Sequence, residues 1–227
     1  IQGRPMQAAD LQRTCALSKE ATDLWAAVLE TAMARPSPLT FFDSTIYMRP
    51  IVVLRGSAVA RADYLALLAE LKARAADKVA AVHGENKRIY WDGMPIWGRL
   101  RSMSELFKDN HACVVASTYC NSWIFSDFDP DDPLPSMANA YIKIFINRND
   151  QYKEDYIRKL VAEYAIDGVI FHDAKTCPNN SNSQYNLPSR LREDGIPAVI
   201  INGDLCDLRC YSDEQSATVI EAFVETL

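Results

Sequence analysis

The sequence holds no run of about 18 apolar residues, which argues against a membrane-spanning helix. It has no Lys/Arg cluster and a net charge of −6, so the electrostatic footprint of a nucleic-acid binder is missing. There is no CxxC, and neither a zinc ribbon nor a thioredoxin-type dithiol is supported. No GxGxxG follows the first strand pattern and no Walker sequence occurs, leaving dinucleotides and P-loop nucleotides without their phosphate cradle. The chain opens Ile1-Gln2-Gly3-Arg4, without an initiator Met or a signal-peptide pattern. The expectation is a cytoplasmic chain that is part of a longer one, with an upstream domain. What is present, 48% apolar and 24% charged residues, is the composition of an ordinary soluble globular protein.

Six cysteines are many for a compartment that disfavours disulfides. Cys15 lies within a helical pattern and Cys113 enters a strand, so packing accounts for both. Cys206 and Cys210 would share a helix face, but Asp207-Leu208-Arg209 between them reads as a loop.

Helical spacing runs from Ala8 to Arg35, through Leu17, Ala21, Leu24 and Val28, and ends at Pro36 and Pro38. Thr40 to Leu54 is mixed, with a short helix conceivable at FFDSTIYM. Ala60 to Val82 is helical again and stops at Gly84. Residues 1–84 thus read as a mostly helical linker or cap. From Lys87 onward strands and helices alternate. Strands are expected at Arg88–Trp91, Ala112–Ser117, Val169–His172 and Ala198–Ile201. Helices are expected up to Lys108, over Met137–Arg148, Tyr152–Ala165 and Leu187–Asp194, and after the capping-box sequence Ser212–Gln215. That rhythm predicts an α/β fold: a Rossmann- or flavodoxin-like parallel sheet of about four strands over residues 85–227, flanked by helices.

Right-handed crossovers bring the carboxyl ends of such strands to one edge, where open α/β sheets bind ligands. The four ends deliver Asp92, Gly93, Met94, Pro95 and Trp97; Ser117 to Asn121; His172, Asp173, Lys175 and Cys177; and Asn202, Asp204, Cys206 and Asp207. Cys120 and Cys177, from different strands, make a better metal hypothesis than any local pair. Four thiolates would suit an iron–sulfur cluster, and the competing reading is loop cysteines lining a dry pocket. His172 reads either as a buried, satisfied core histidine or as a catalyst beside Asp173. Trp91, Trp97, Tyr119, Trp123 and Phe125 give the loops an aromatic density that suits plain packing or a flat-walled pocket for a ring.

Four segments together resemble the 2-hydroxyacyl-CoA dehydratase / benzoyl-CoA reductase family: KRIYWDGMPIW, VVASTYCNSW, DGVIFHDAKTCPNNSNSQYNLPSRL and GIPAVIINGDLCDLRCYSDEQSATVIEAF. The TCPNNSNSQY and YCNSWIF loops look more like a benzoyl-CoA reductase subunit. The resemblance implies a [4Fe–4S] cluster held between two domains, with Cys177 as this domain's ligand and Cys120 at a position that is often cysteine. Some ligands would come from the absent N-terminal domain. It implies an acyl-CoA substrate met by Asp92, Gly93, Met94, Pro95, Trp97, Trp123 and Gln184, with His172 as proton donor. It also implies a homologous cluster-bearing subunit, activator subunits that carry ATP and Mg, and ferredoxin as electron donor. Neither nucleic acid nor membrane is an expected partner. A dehydratase that expels a hydroxyl through a ketyl radical, or a scaffold subunit that has lost its cluster, are the alternatives.

Overall fold

The computed structural model describes Gly3, residues 5–181 and residues 185–227. Helix α1 (Ala8–Glu30) is followed by a 3-10 turn at Thr31–Met33, so the helix stops short of the expected Arg35. Helices α2 (Phe41–Tyr47) and α3 (Arg49–Val53) fill the mixed segment. A capping box begins α2: the Thr40 hydroxyl accepts from the Asp43 amide, and the Asp43 carboxylate accepts from the Thr40 amide. Helix α4 (Ala58–Ala76) ends before the expected Val82.

The alternation then unfolds in order: β1 (Lys87–Asp92), α5 (Leu100–Asp109), β2 (Ala112–Ser117), α6 (Thr118–Asn121), α7 (Pro133–Ile142) and α8 (Asp150–Glu163). After these come β3 (Gly168–Ala174), α9 (Pro178–Ser181), α10 (Leu187–Glu193), β4 (Ala198–Gly203) and α11 (Asp213–Thr226). The helix expected to run to Arg148 stops at Ile142. A 3-10 turn at Phe145–Asn147 carries the rest of its apolar spacing.

The sheet is parallel throughout, in the order β2-β1-β3-β4. The chain moves outward from β1 to β2, then crosses back over β1 to reach β3. The reversal makes the carboxyl ends of β1 and β3 the topological switch point, where adjacent loops diverge and leave a crevice. Helices α8 and α10 meet through the Glu154–Arg190 ion pair, and the residue capping α5, Arg99, pairs with Asp213 at the start of α11. Every residue of β2 is buried, because the N-terminal helices cover this edge strand. One apolar core runs from Ala21 and Trp25 through the sheet to Phe223 and Val224. Covering an edge in this way removes a template for unwanted strand pairing.

A buried cation fastens these layers together. Arg88, at the amino end of β1, is 2% exposed. Its Nε donates to Tyr164 O at 2.7 Å, Nη1 to Ala34 O at 3.1 Å, and Nη2 to Ala32 O at 2.5 Å. Nη1 also pairs at 2.5 Å with Glu85, whose other oxygen accepts from the Ser37 amide at 2.6 Å. One guanidinium therefore ties the end of α1, the start of β1 and the turn before β3. Removing one member of a buried pair strands the other, at a cost of about 3–5 kcal/mol. Arg88→Ala should lose stability in that range in urea unfolding. A loss under about 1 kcal/mol would show that the pair is not a fastening.

Candidate functional site

At the carboxyl edge, each loop is tied down by a buried polar side chain. Asp92 is the last residue of β1 rather than part of the following turn, and is 1% exposed. Its Oδ1 accepts from the Thr118 hydroxyl. Tyr90 OH lies 2.7 Å from the same hydroxyl, so with Asp92 ionised the tyrosine donates into the chain. Burial pushes the Asp92 carboxyl up to about 6, against the Thr118 hydrogen bond, the nearby Lys153 charge and the Gly93 amide, which all favour ionisation. Desolvation wins because no ion pair compensates it in full. Gly93 itself has φ +100°, a turn that a side chain would strain.

His172, in β3, has no exposed surface. Its ring lies 5.9 Å from Trp91, and Nδ1 lies 2.6 Å from Met94 O. A carbonyl only accepts, so the proton sits on Nδ1. Burial lowers the imidazole's affinity for a second proton, more than the Met94 bond raises it. Met94 O accepts the Trp91 indole N–H as well, at 3.1 Å. A Cβ on Gly203 of β4 would come within 2.8 Å of His172 Nε2, so the ring fits because that position is glycine. His172 thus holds the loop after β1 from across the switch point.

The loop after β3 carries Cys177, which is half-buried. Its amide donates to Ala174 O at 3.1 Å and its carbonyl accepts from the Ser181 amide at 3.2 Å. The Ser181 hydroxyl accepts from the Ala174 amide at 2.9 Å. Beside it, Lys175 pairs with Asp173 and donates to Asn202 at 2.9 Å. A small cavity of about 140 Å³ opens between Asp173, Lys175, Pro178 and Tyr185. Asp204, at the end of β4, accepts from the Thr176 amide and hydroxyl and from the Cys206 and Asp207 amides. Those bonds hold its carboxyl well below the usual range.

Cys120 is differently placed. It lies on α6, 1% exposed within the main core, and its carbonyl accepts the Trp25 indole N–H at 3.0 Å. Burial raises its thiol to about 12. Trp97 is 38% exposed and meets Tyr119 edge to face at 6.1 Å. Its amide donates to Leu205 O at 3.0 Å. Pro95 is buried and Met94 half-buried. Trp123 is held through its backbone and packs against the main core: its carbonyl accepts from Arg55, whose guanidinium stacks 4.3 Å from the Phe125 ring centroid. Gln184 lies outside the described residues. The expected set is therefore divided. Asp92, Gly93, Met94, Pro95, Trp97 and His172 form one linked group, Cys177 sits on the neighbouring loop, and Cys120 lies in the core.

Tyr90 and Lys153 escaped the sequence reading. Tyr90 lies between Ile89 and Trp91 in β1 and reads there as one more packed ring. Lys153 is 4% exposed, with Nζ 5.6 Å from the Phe145 ring centroid. It sits in a helix whose charges pattern as a solvated face. A second cavity, of about 310 Å³, opens beside α6, walled by Asn121, Phe145, Tyr152 and Tyr156. Among the described residues no three Cys, His, Asp or Glu side chains converge on a metal position, and no helix is long and apolar enough to cross a membrane.

A four-strand parallel sheet flanked by helices, with anchored loops and a half-buried thiol at its switch edge, places the chain in the α/β class. The family model described as 2-hydroxyglutaryl-CoA dehydratase, D-component, matches residues 1–227, and the chain belongs to that family. The alpha chain of the lactoyl-CoA dehydratase of Anaerotignum propionicum is 28% identical over 229 residues, which is 100% of this chain and 54% of the relative. A benzoyl-CoA reductase subunit of Thauera aromatica is 30% identical over 221 residues, 92% of this chain and 51% of the relative. The beta chain of the (R)-phenyllactyl-CoA dehydratase of Clostridium sporogenes is 26% identical over 151 residues, 63% of this chain and 38% of the relative. The chain spans about half the length of the first two. All three are named as subunits of acyl-CoA enzymes, and the names alpha and beta mark assemblies of unlike chains.

Asp92 sets a pH dependence. Its folded value of about 6 against an ordinary 3.8 means that the native state keeps a proton the unfolded chain has released. Stability contributed by this group is complete below pH 3.8 and is lost as pH rises through 6, to a total of about 3 kcal/mol at 1.36 kcal/mol per unit. Asp92→Asn keeps an acceptor for Thr118 but no proton to lose. Relative to the native protein, it should gain about 2.4 kcal/mol between pH 4 and pH 7 in urea unfolding. A difference that does not vary with pH would contradict the assignment.

Proposed function

We propose that this chain forms part of the iron–sulfur subunit of an ATP-dependent benzoyl-CoA reductase, which reduces the ring of an aromatic acyl-CoA by single electrons to a cyclohexadiene-carbonyl-CoA. The observation that carries this reading is the half-buried Cys177 in a tied loop at the carboxyl edge. A thiolate is the soft donor an iron–sulfur cluster requires. When bound, the [4Fe–4S] cluster would supply low-potential electrons one at a time. Cys177 has the chemistry and the exposure to hold it. Its remaining ligands would come from beyond the described residues, and Cys120 would have to leave its packed place under Trp25 to join them.

The chain's own residues would bind, orient and exclude water. The cavity beside α6 sets the rings of Phe145, Tyr152 and Tyr156 among polar groups, Asn121, Asp127, Lys143 and Lys159, a mixed lining that could receive an aromatic acyl group together with a polar part of its carrier. Trp97 and Tyr119 form a separate edge-to-face pair between the loops after β1 and β2. Asp92, Gly93, Met94 and Pro95 shape the neighbouring loop. His172 keeps that loop in place through Met94, and any proton it gives to a ring would require the loop to open. In this reading the working enzyme also contains a homologous cluster-bearing subunit, activator subunits that hydrolyse Mg-ATP, and ferredoxin as donor. The relationship to a beta chain as well as to alpha chains supports a homologous partner.

A second reading, the alpha subunit of a 2-hydroxyacyl-CoA dehydratase, is favoured by the match of the lactoyl-CoA dehydratase alpha chain over the whole chain. Turnover assays on the anaerobically purified complex with its activator separate the two. Consumption of benzoyl-CoA with ATP hydrolysed in step with each turnover is the expected result. Dehydration of a 2-hydroxyacyl-CoA with only catalytic ATP would replace the reductase reading with the dehydratase one.

A further inference from the structure

We propose that Asp204 is a positioning residue for the Cys177 thiol. This inference rests on the reading of Cys177 as the iron-binding thiol. Asp204 is 2% exposed and uses both carboxylate oxygens. Oδ2 accepts from the Thr176 amide at 2.7 Å and the Thr176 hydroxyl at 2.6 Å. Oδ1 accepts from the Cys206 amide at 3.2 Å and the Asp207 amide at 3.1 Å. Thr176 immediately precedes Cys177, so one carboxylate just after β4 fixes the backbone from which the thiol on the β3 loop projects.

The remaining ties on that loop leave Asp204 its decisive role. Ser181 closes the far side by bonding both the amide and the carbonyl of Ala174, and the Lys175 amide donates to Gly203 O at 3.1 Å. Thr176, between Lys175 and Cys177, has both its amide and its hydroxyl bonded to Asp204, the residue that follows β4. Four donors converge on it, and no neutral side chain of that size can accept from all four. An asparagine offers one acceptor oxygen, and its amide N–H₂ would face two donors. The same carboxylate also orders the backbone of Cys206, a second, exposed thiol on the neighbouring loop. One carboxylate therefore ties the two loops to each other.

Groups that orient a metal ligand typically change metal affinity by about 10–100-fold when removed. The test uses the complete subunit with its partner, purified anaerobically, in native, Asp204→Asn, Asp204→Ala, Thr176→Val and Cys177→Ser forms. Two readouts do not depend on turnover. One is the rate at which iodoacetamide labels Cys177 in the iron-free protein, resolved by peptide mass spectrometry. The other is the iron affinity and the electron paramagnetic resonance signature after reconstitution.

Asp204→Asn should label Cys177 about tenfold faster, bind iron about tenfold more weakly and alter the cluster signal. Thr176→Val, which loses one of the four bonds, should show a smaller shift in the same direction. Circular dichroism identifies any variant that fails to fold; should Asp204→Ala do so, Asp204→Asn and Thr176→Val carry the test. Native labelling and an unaltered signal in folded Asp204→Asn would overturn the positioning role. Undiminished iron and an unaltered signal in Cys177→Ser would instead overturn the reading of Cys177. The two failures are therefore distinguishable.

Discussion

The structure depends on one buried cation. Arg88 stands at the amino end of the central strand and reaches three carbonyls and one carboxylate that belong to otherwise separate parts of the chain. Charged hydrogen bonds of this kind are directional and hold their full strength away from water. They set how the N-terminal helices lie against β1 and β2 and where the chain enters β3. With the amino edge of the sheet locked, the helical segment acts as a wall over the β2 edge. The carboxyl edge is then the one free to specialise.

At that carboxyl edge the same device recurs on a smaller scale. Thr118 after β2 holds Asp92 of β1, His172 of β3 holds Met94 after β1, and Asp204, directly after β4, holds Thr176 after β3. Each loop is thus tied to a neighbouring strand rather than to itself. Loops anchored in this way keep a fixed geometry although they lie at the surface, and a binding site needs that preorganisation. The arrangement costs stability at Asp92, where burial works against an ionised carboxylate. Cost of that kind concentrates where a protein binds or reacts.

Much of the architecture was legible from residue order. Val169 to Phe171 and Val114 to Ala116 are buried on both faces, so their unbroken apolar runs declared parallel strands. The alternation with helices then implied one functional edge, and Cys177, His172 and Asp92 were found there. Helix ends were less visible. The spacing of Tyr141, Ile144 and Phe145 continues past the point where α7 ends, because a 3-10 turn can present apolar residues nearly as a helix does. The Thr40-x-x-Asp43 capping signal was present but stood between prolines and a short apolar stretch. Arg88 and Lys153 were opaque for a different reason. A charged residue in a strand or helix pattern signals solvent, and only the tertiary arrangement supplies the carbonyls and rings that let it be buried. Cys120 shows the same limit: its loop position suggested access, but a single turn of helix directs its side chain into the core.

The thiol of Cys177, as an iron ligand at the switch edge of the sheet, is the centre on which the proposed chemistry turns. The most direct test is a crystal structure of the anaerobically purified complete subunit with anomalous diffraction collected at the iron edge. The predicted result is an iron peak bonded to Cys177 Sγ, with Asp204 still bound to Thr176 beneath it. Iron bonded elsewhere with Cys177 left as a free thiol would contradict the account.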